Sequence, residues 1–135
     1  MRFNNKKFTF ITLMVLLLPI SSWAESNNKY DTAYKNCVKE AGPINNGVVD
    51  ACSRFVSKKA KKDMNKLYNI IYNNISKQSI DDAKKFEKSQ KNWLKYREAH
   101  CELMGLYVGS PSYSYCPMEL NKLRVLELTV LANMF

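Results

Sequence analysis

The stretch that decides the fold is QKNWLKYREAHC, residues 90–101. Trp93, Arg97 and Cys101 are spaced four residues apart, which places them on one face of an α-helix. Tyr96 directly precedes Arg97, and His100 directly precedes Cys101. We therefore expect these five side chains to share one stripe of a helix. Trp93 is then a core anchor, and the stretch is structural rather than catalytic.

A buried arginine is costly unless it has a partner. We expect the Arg97 guanidinium to lie near the Trp93 indole, or to pair with a carboxylate such as Asp63 or Glu127. His100 beside Cys101 superficially suggests a nucleophile pair. Neighbouring helical residues point in different directions, however, and a cysteine in a disulfide cannot attack a substrate.

Helical patterns continue on both sides of this stretch. Residues 30–39 predict a short first helix, which Gly42-Pro43 ends. From about Val48 to Ile75 the apolar residues fall at helical spacing and predict a long second helix.

A third helix is expected to start at Ser79, a plausible N-cap, and to stop at Gly105 or Gly109. Pro117 is expected to open a fourth helix. The sequence therefore predicts an all-α fold: a small bundle of three main helices plus a short N-terminal helix, stapled by two disulfides.

The N-terminus has the layout of a secretory signal peptide. Arg2, Lys6 and Lys7 precede an apolar run over residues 8–20, and cleavage is expected after Ala24. The run is too short for a comfortable membrane span of about 20 residues. We expect residues 1–24 to be removed, residues 25–135 to form a single domain, and the protein to be periplasmic or secreted, with no stable membrane anchor.

All four cysteines lie beyond the predicted cleavage site, and an oxidising compartment favours disulfides. Three pairings are possible. The equal spacings within Cys37–Cys52 and Cys101–Cys116, each enclosing glycine and proline, favour these two local bridges.

The chain carries a net charge of +9, and three of those charges lie in the signal segment. The lysines of KKAKK, residues 58–62, resemble a nucleic-acid or heparin patch, but on a helix they are better explained as the solvated face of an amphipathic rod. We expect no nucleic-acid partner.

The sequence lacks the residues of an enzyme. A zinc motif, a serine nucleophile motif and a phosphate loop are all missing, so no metal, cofactor or catalytic residue is predicted. Glu98 and Glu102 are more simply a solvated helical pair than an acid–base team.

Residues 105–115, GLYVGSPSYSY, are expected to form an exposed loop. Tyrosine, serine and glycine together are typical of protein-binding surfaces. The candidate contact residues are Tyr107, Ser110, Ser112, Tyr113 and Tyr115. The alternative is that these tyrosines pack back onto the domain. Glu98, Glu102 and Glu119 are the candidate acidic contacts nearby.

Several elements together resemble the lysozyme-inhibitor LprI-type family of small secreted bacterial proteins. AKKDMNKLYNII (60–71) and FEKSQKNWLKYREAHCELMGLY (86–107) carry the first elements, and a second cysteine with LNKLRVLEL (120–128) completes them. The matching structural positions are Asn65, Tyr68, Gln90, Trp93, Tyr96, Arg97 and Arg124. Met64 stands where the family usually has leucine.

The resemblance implies a periplasmic or secreted inhibitor that binds and blocks a peptidoglycan-cleaving enzyme of the lysozyme type. Its partner would then be a protein: lysozyme, another cell-wall hydrolase or a toxin. Two alternatives stay open, an immunity protein that neutralises an antibacterial toxin and a module that binds cell-wall polymer. Animal lysozymes are usually basic, so a basic inhibitor would need a local acidic patch.

Overall fold

The structure is a computed structural model that describes residues 21–135, with side chains from residue 29 onward. Most of the predicted signal peptide therefore lies outside the described residues. Residues 21–135 contain only helices and their links, which confirms the all-α bundle. The helices are α1 Ser21–Ala41, α2 Asn46–Gln78, α3 Ile80–Val108 and α4 Ser112–Ala132.

The expected boundary signals at Gly42-Pro43, Ser79 and Gly109 are confirmed. Asn45, which was not predicted as a cap, caps α2 by accepting hydrogen bonds from the backbone N–H groups of Gly47 and Val48. Ser79 alone links α2 to α3, and its hydroxyl accepts from the backbone N–H of Asp82. Gly109 ends α3 with a φ of 89°, a conformation that favours glycine. Short links force consecutive helices to run antiparallel.

Two expected boundaries are wrong. The first helix spans 21 residues instead of residues 30–39. The last helix begins at Ser112, so Pro117 lies inside it instead of opening it. Contacts of Tyr113 and Cys116 with α3 hold the residues before Pro117 in helix. These tertiary contacts outweigh the local preference of proline for a first turn.

The core lies between α2 and α4, which have the most extensive contact of any helix pair. Val56 and Ile71 of α2 pack with Met118 and Leu128 of α4, and all four are buried. Tyr30 adds α1 to this core, and its hydroxyl donates to Asp63. Burial, together with the nearby carboxylate of Asp63, raises the pKa of Tyr30, so the phenol stays protonated.

A buried polar chain joins three of the helices. Nη1 of Arg97 on α3 donates to Oδ1 of Asn121 on α4 at 2.8 Å. Nδ2 of Asn121 donates to Oγ of Ser57 on α2, also at 2.8 Å. Asn121 is fully buried, and Arg97 and Ser57 are nearly so. The amide therefore satisfies two buried groups at once.

Arg97 lies near the Trp93 indole, as one expected alternative had it, but it does not pair with either of the expected carboxylates. Its guanidinium carbon lies 5.6 Å from the centroid of the Trp93 ring, as expected. The proposed carboxylate partners are wrong, because Asp63 binds Lys29 and Tyr30 while Glu127 binds Arg124. The nearest acidic group to Arg97 is Glu98, at 3.4 Å.

Arg124 also places its guanidinium near the Trp93 indole. Its guanidinium carbon is 5.3 Å from the Trp93 centroid, and its Nε and Nη2 donate to Oε1 of Gln90 at 3.0 and 2.8 Å. Trp93 thus contacts two guanidinium groups, while Tyr68 stacks on Phe86 nearer the Ser79 link. Gln90, Trp93, Arg97 and Arg124 therefore act together in packing α3 on α4.

The predicted stripe of five residues is narrower in the structure. Arg97 and Cys101 are buried and Trp93 is half-buried, whereas Tyr96 is 54% exposed and His100 is exposed. A step of one residue turns a helix by about 100°, which carries Tyr96 and His100 out of the core. Their rings stack on each other at the surface, with centroids 5.5 Å apart.

Both predicted disulfides are confirmed. Cys37–Cys52 ties α1 to α2, and Cys101–Cys116 ties α3 to α4. In the chain-entropy model each closed loop contributes about 3 kcal/mol to stability. Among the helices of the described residues, none is long and apolar enough to cross a membrane.

Replacing Asn121 by alanine tests the polar chain. Asn121→Ala leaves the buried groups of Arg97 and Ser57 without their partner, so we expect the free energy of unfolding to fall by about 3 kcal/mol. Urea denaturation followed by circular dichroism measures it. Leu123→Ala, at a half-exposed position of the same helix, should cost less than about 1 kcal/mol. An equal fall in the free energy of unfolding for the two variants would show that the polar chain does not contribute more to stability than an ordinary side chain of α4.

Candidate functional site

Alternating helix directions bring four helix ends together at one end of the bundle. The C-terminal ends of α1 and α3 lie there with the N-terminal ends of α2 and α4. Both disulfides are at this end, and so are the residues of the predicted binding loop. The candidate site is therefore held by two covalent cross-links.

The predicted binding segment is mostly helical, so the expected loop is wrong, although Tyr107, Ser110 and Tyr113 are exposed as expected. Residues 105–108 form the last turn of α3, and α4 starts at Ser112, which leaves only Gly109, Ser110 and Pro111 between the helices. The Ser110–Pro111 peptide bond is cis. Tyr107 thus projects from a helix end, and Tyr113 and Tyr115 project from the first turn of α4.

Exposed apolar side chains cluster at this α3–α4 corner. Tyr107 is 86% exposed, and the apolar residues around it are each at least half exposed. We call this surface the corner ridge; its members are Leu103, Leu106, Tyr107, Val108 and Tyr113. A group of exposed apolar side chains of this kind is typical of protein–protein contact sites. Leu103, Leu106 and Val108 were not predicted as contact residues. Their helical spacing relative to Arg97 and Cys101 places them outside the buried face of α3, which is the signal that could have identified them.

Tyr113 is fixed by close packing on α3. A Cβ atom placed on Gly105 would lie only 2.1–2.5 Å from three atoms of the Tyr113 ring. Gly105 is buried beneath that ring, and the absence of a side chain there allows the contact. The ridge therefore has an aromatic ring in a defined position.

The other predicted contact residues stay at least partly exposed, but Tyr115 also packs on the domain. Tyr115 packs edge-on against Tyr34 of α1, with centroids 6.0 Å apart, which places it on the opposite side of α4 from Tyr113. Ser110 is exposed in the link, and Ser112 is the first residue of α4. Tyr115 matches the alternative in which a tyrosine packs back on the domain.

The three acidic candidates also separate. Glu98 and Glu102 are exposed on α3, on the flank of the ridge next to Leu106. Glu119 instead accepts from Lys122, which also donates to Asp31 of α1. Burial alone would lower the pKa of Lys122, but these hydrogen bonds raise it above its ordinary value. Glu119 thus lies between α4 and α1, away from the ridge.

Residues 29–135 contain no cluster of histidine, cysteine and acidic side chains that could hold a metal ion. His100 stacks on Tyr96, and its neighbour Cys101 is in a disulfide. What the corner offers is a rigid apolar surface with carboxylates at its edge.

A family model described as "Lysozyme inhibitor LprI" matches residues 37–128. The chain belongs to the LprI lysozyme inhibitor family. The matched region runs from the first cysteine of the α1–α2 disulfide to the core residue Leu128 of α4, so it includes both cross-links and the corner ridge. Neither the curated proteins nor the solved structures give a match to the chain.

Within this LprI family member, the Gly105–Tyr113 contact can be tested by a double-mutant cycle. Gly105→Ala forces the Tyr113 ring away, so we expect it to destabilise the protein and shift the ring's NMR resonances. In a Tyr113→Ala background the clash is gone and alanine's better helix propensity, worth about 1 kcal/mol, is recovered. Gly105→Ala should then be neutral or stabilising. The same destabilisation in both backgrounds would mean that Tyr113 is not what occupies the space over Gly105.

Proposed function

We propose that the mature protein is a periplasmic or secreted inhibitor that binds and blocks a peptidoglycan-cleaving enzyme of the lysozyme type through the corner ridge. The proposal includes removal of residues 1–24 by a signal peptidase, with cleavage in the first turn of α1. Family membership supports the inhibitory activity. The structural observation that carries the proposed surface is Tyr107, an almost fully exposed tyrosine on a disulfide-tied helix corner.

A convex corner suits the blocking of an enzyme cleft. Tyr107 and Leu103 lie one helical turn apart and point the same way, and Leu106 widens the surface between them and the acidic flank. Large side chains on a rigid backbone lose little conformational entropy on binding, which is why tyrosine is frequent among residues that dominate binding energy.

The charge distribution reduces the conflict between a basic inhibitor and a basic target. Glu98 and Glu102 flank the ridge on its Leu106 side, whereas Lys58 and Lys61 of α2 reach only its Tyr113 end. Local complementarity governs the encounter more than total charge when the salt screening length is about 8–10 Å. The ridge with its two carboxylates is thus compatible with a basic lysozyme.

One observation favours the alternative of an immunity protein that neutralises an acidic toxin. Lys58, Lys59, Lys61 and Lys62 are exposed on α2, and none of them has an acidic partner among the side chains of residues 29–135. A partner bound there would be acidic. An immunity protein of this kind would leave lysozyme activity unchanged.

Titration of lysozyme activity separates these functions. We expect c-, g- or i-type lysozyme to lose peptidoglycan-cleaving activity at a near-stoichiometric ratio of the purified protein. Tyr107→Ala should weaken inhibition about tenfold or more while leaving the melting temperature unchanged, because the side chain is solvated. Ile70→Ala, a 40% exposed apolar position far along α2, is the matched control. Failure to bind any of the three lysozyme types would contradict the proposal.

Charge neutralisation tests the acidic flank. Glu98→Gln combined with Glu102→Gln should slow association with a basic lysozyme several-fold at low salt and have little effect at high salt. Stopped-flow or surface plasmon resonance measures the rate. Glu40→Gln with Asp81→Asn makes the same change in net charge at exposed positions on other helix ends. If the two pairs slow association equally, only net charge matters and the flank is not a contact.

A further inference from the structure

A groove of about 400 Å³ lies between the N-terminal half of α2 and the first turns of α4. Its walls carry three cations, Arg54, Lys58 and Lys61, and one carboxylate, Asp50. Ser57 and Tyr113 also line it. This volume falls within the range of about 300–1,000 Å³ that is usual for small-molecule sites.

The groove has an excess of positive charge. Arg54 pairs with Asp50 at 2.8 Å, and this hydrogen bond lowers the pKa of Asp50, so the carboxylate is ionised and holds the guanidinium in place. Lys58 and Lys61 follow Arg54 at helical spacing on the same face. Neither lysine has an acidic partner among the side chains of residues 29–135. Two cations are therefore available to an anionic ligand.

Ser57 adds a donor that is polarised from inside the protein. Its Oγ accepts from Asn121, whose own oxygen accepts from the buried guanidinium of Arg97. The hydroxyl proton of Ser57 has no acceptor among residues 29–135, so it can donate into the groove that Ser57 lines. Hydrogen bonds in a chain strengthen one another, so the Ser57 hydroxyl at the end of this chain is a strengthened donor toward the groove.

Tyr113 gives one wall an apolar face. Its ring is packed on Gly105, is half exposed and lines the groove, so it can cover the C–H groups on the apolar face of a sugar ring. Cations, a hydroxyl donor and an aromatic ring within one small groove together match a sugar that carries an anionic group.

We propose that the groove binds an acidic saccharide, a sugar unit bearing a carboxylate or a phosphate. The anion is held by Lys58, Lys61 and the Ser57 hydroxyl, and the sugar ring packs on Tyr113. Arg54 is not assigned to the anion, because Asp50 already neutralises its charge. The site does not depend on the inhibitory activity and would let the protein remain on acidic wall or envelope glycans.

Calorimetric titration of the purified protein tests the site with defined probes. We expect a galacturonic acid tetramer and glucose 6-phosphate to bind, more weakly as salt rises, and a neutral galactose tetramer not to bind. Comparison of the two acidic probes identifies which anion is preferred. Tight binding of the neutral tetramer, equal binding of inorganic phosphate alone, or preferential binding of tetraglutamate would each overturn the saccharide assignment.

Matched lysine pairs locate the site. Lys58→Gln with Lys61→Gln should weaken binding of the galacturonic acid tetramer about fivefold or more. Lys59→Gln with Lys62→Gln makes the same charge change on the side of α2 that faces α1, and should leave the affinity unchanged. Equal loss in both pairs would reduce the site to a diffuse charge effect and overturn the proposal.

Ser57→Ala tests the polarised hydroxyl. It should weaken binding of the acidic probes while the lysines remain in place, and its melting temperature reports any structural loss separately. Lysozyme inhibition should be unchanged by Lys58→Gln with Lys61→Gln, so failure of the groove proposal and failure of the inhibitor proposal are distinguishable.

Discussion

The need to satisfy a buried guanidinium sets the register of this bundle. Taking a cation such as Arg97 out of water costs several kcal/mol unless its donors find acceptors. Here the acceptor is an uncharged amide, Asn121, which also binds Ser57 on a third helix. Sliding α4 by one turn would break both hydrogen bonds at once. The corner ridge and the basic groove are both built on that fixed register.

Local signals in the sequence were sufficient to predict the number of helices and the cross-links, but not the bounds of α1 and α4. Ser79 and Gly109 fulfil the capping roles expected of them, because capping depends on a few neighbouring residues. The cysteine pairs are close in sequence and bracket helix links, so equal spacing was a reliable guide to the two bridges. The resemblance seen in the sequence is confirmed by the family model.

Long-range contacts explain what the sequence could not predict. The partner of Arg97 is 24 residues away, and Asn121 reaches Ser57 across 64 residues, so no spacing rule indicates either bond. The segment around Tyr113 resembles a loop in composition. It is helical in the structure, and its Tyr113 ring packs over Gly105 of α3, a contact that no local pattern indicates. The sequence predicted an exposed surface in the correct part of the chain, residues 105–115, but with a loop conformation in place of two helix ends.

The placement of the two disulfides has a consequence for how the chain reaches its fold. Each bridge closes one helical hairpin, α1 with α2 and α3 with α4, and the hairpins share only Ser79 as a link. With the bridges intact, the unfolded chain is already divided into two looped halves. The conformational search then reduces mainly to docking one hairpin on the other, and the decisive long-range event is the meeting of α2 with α4.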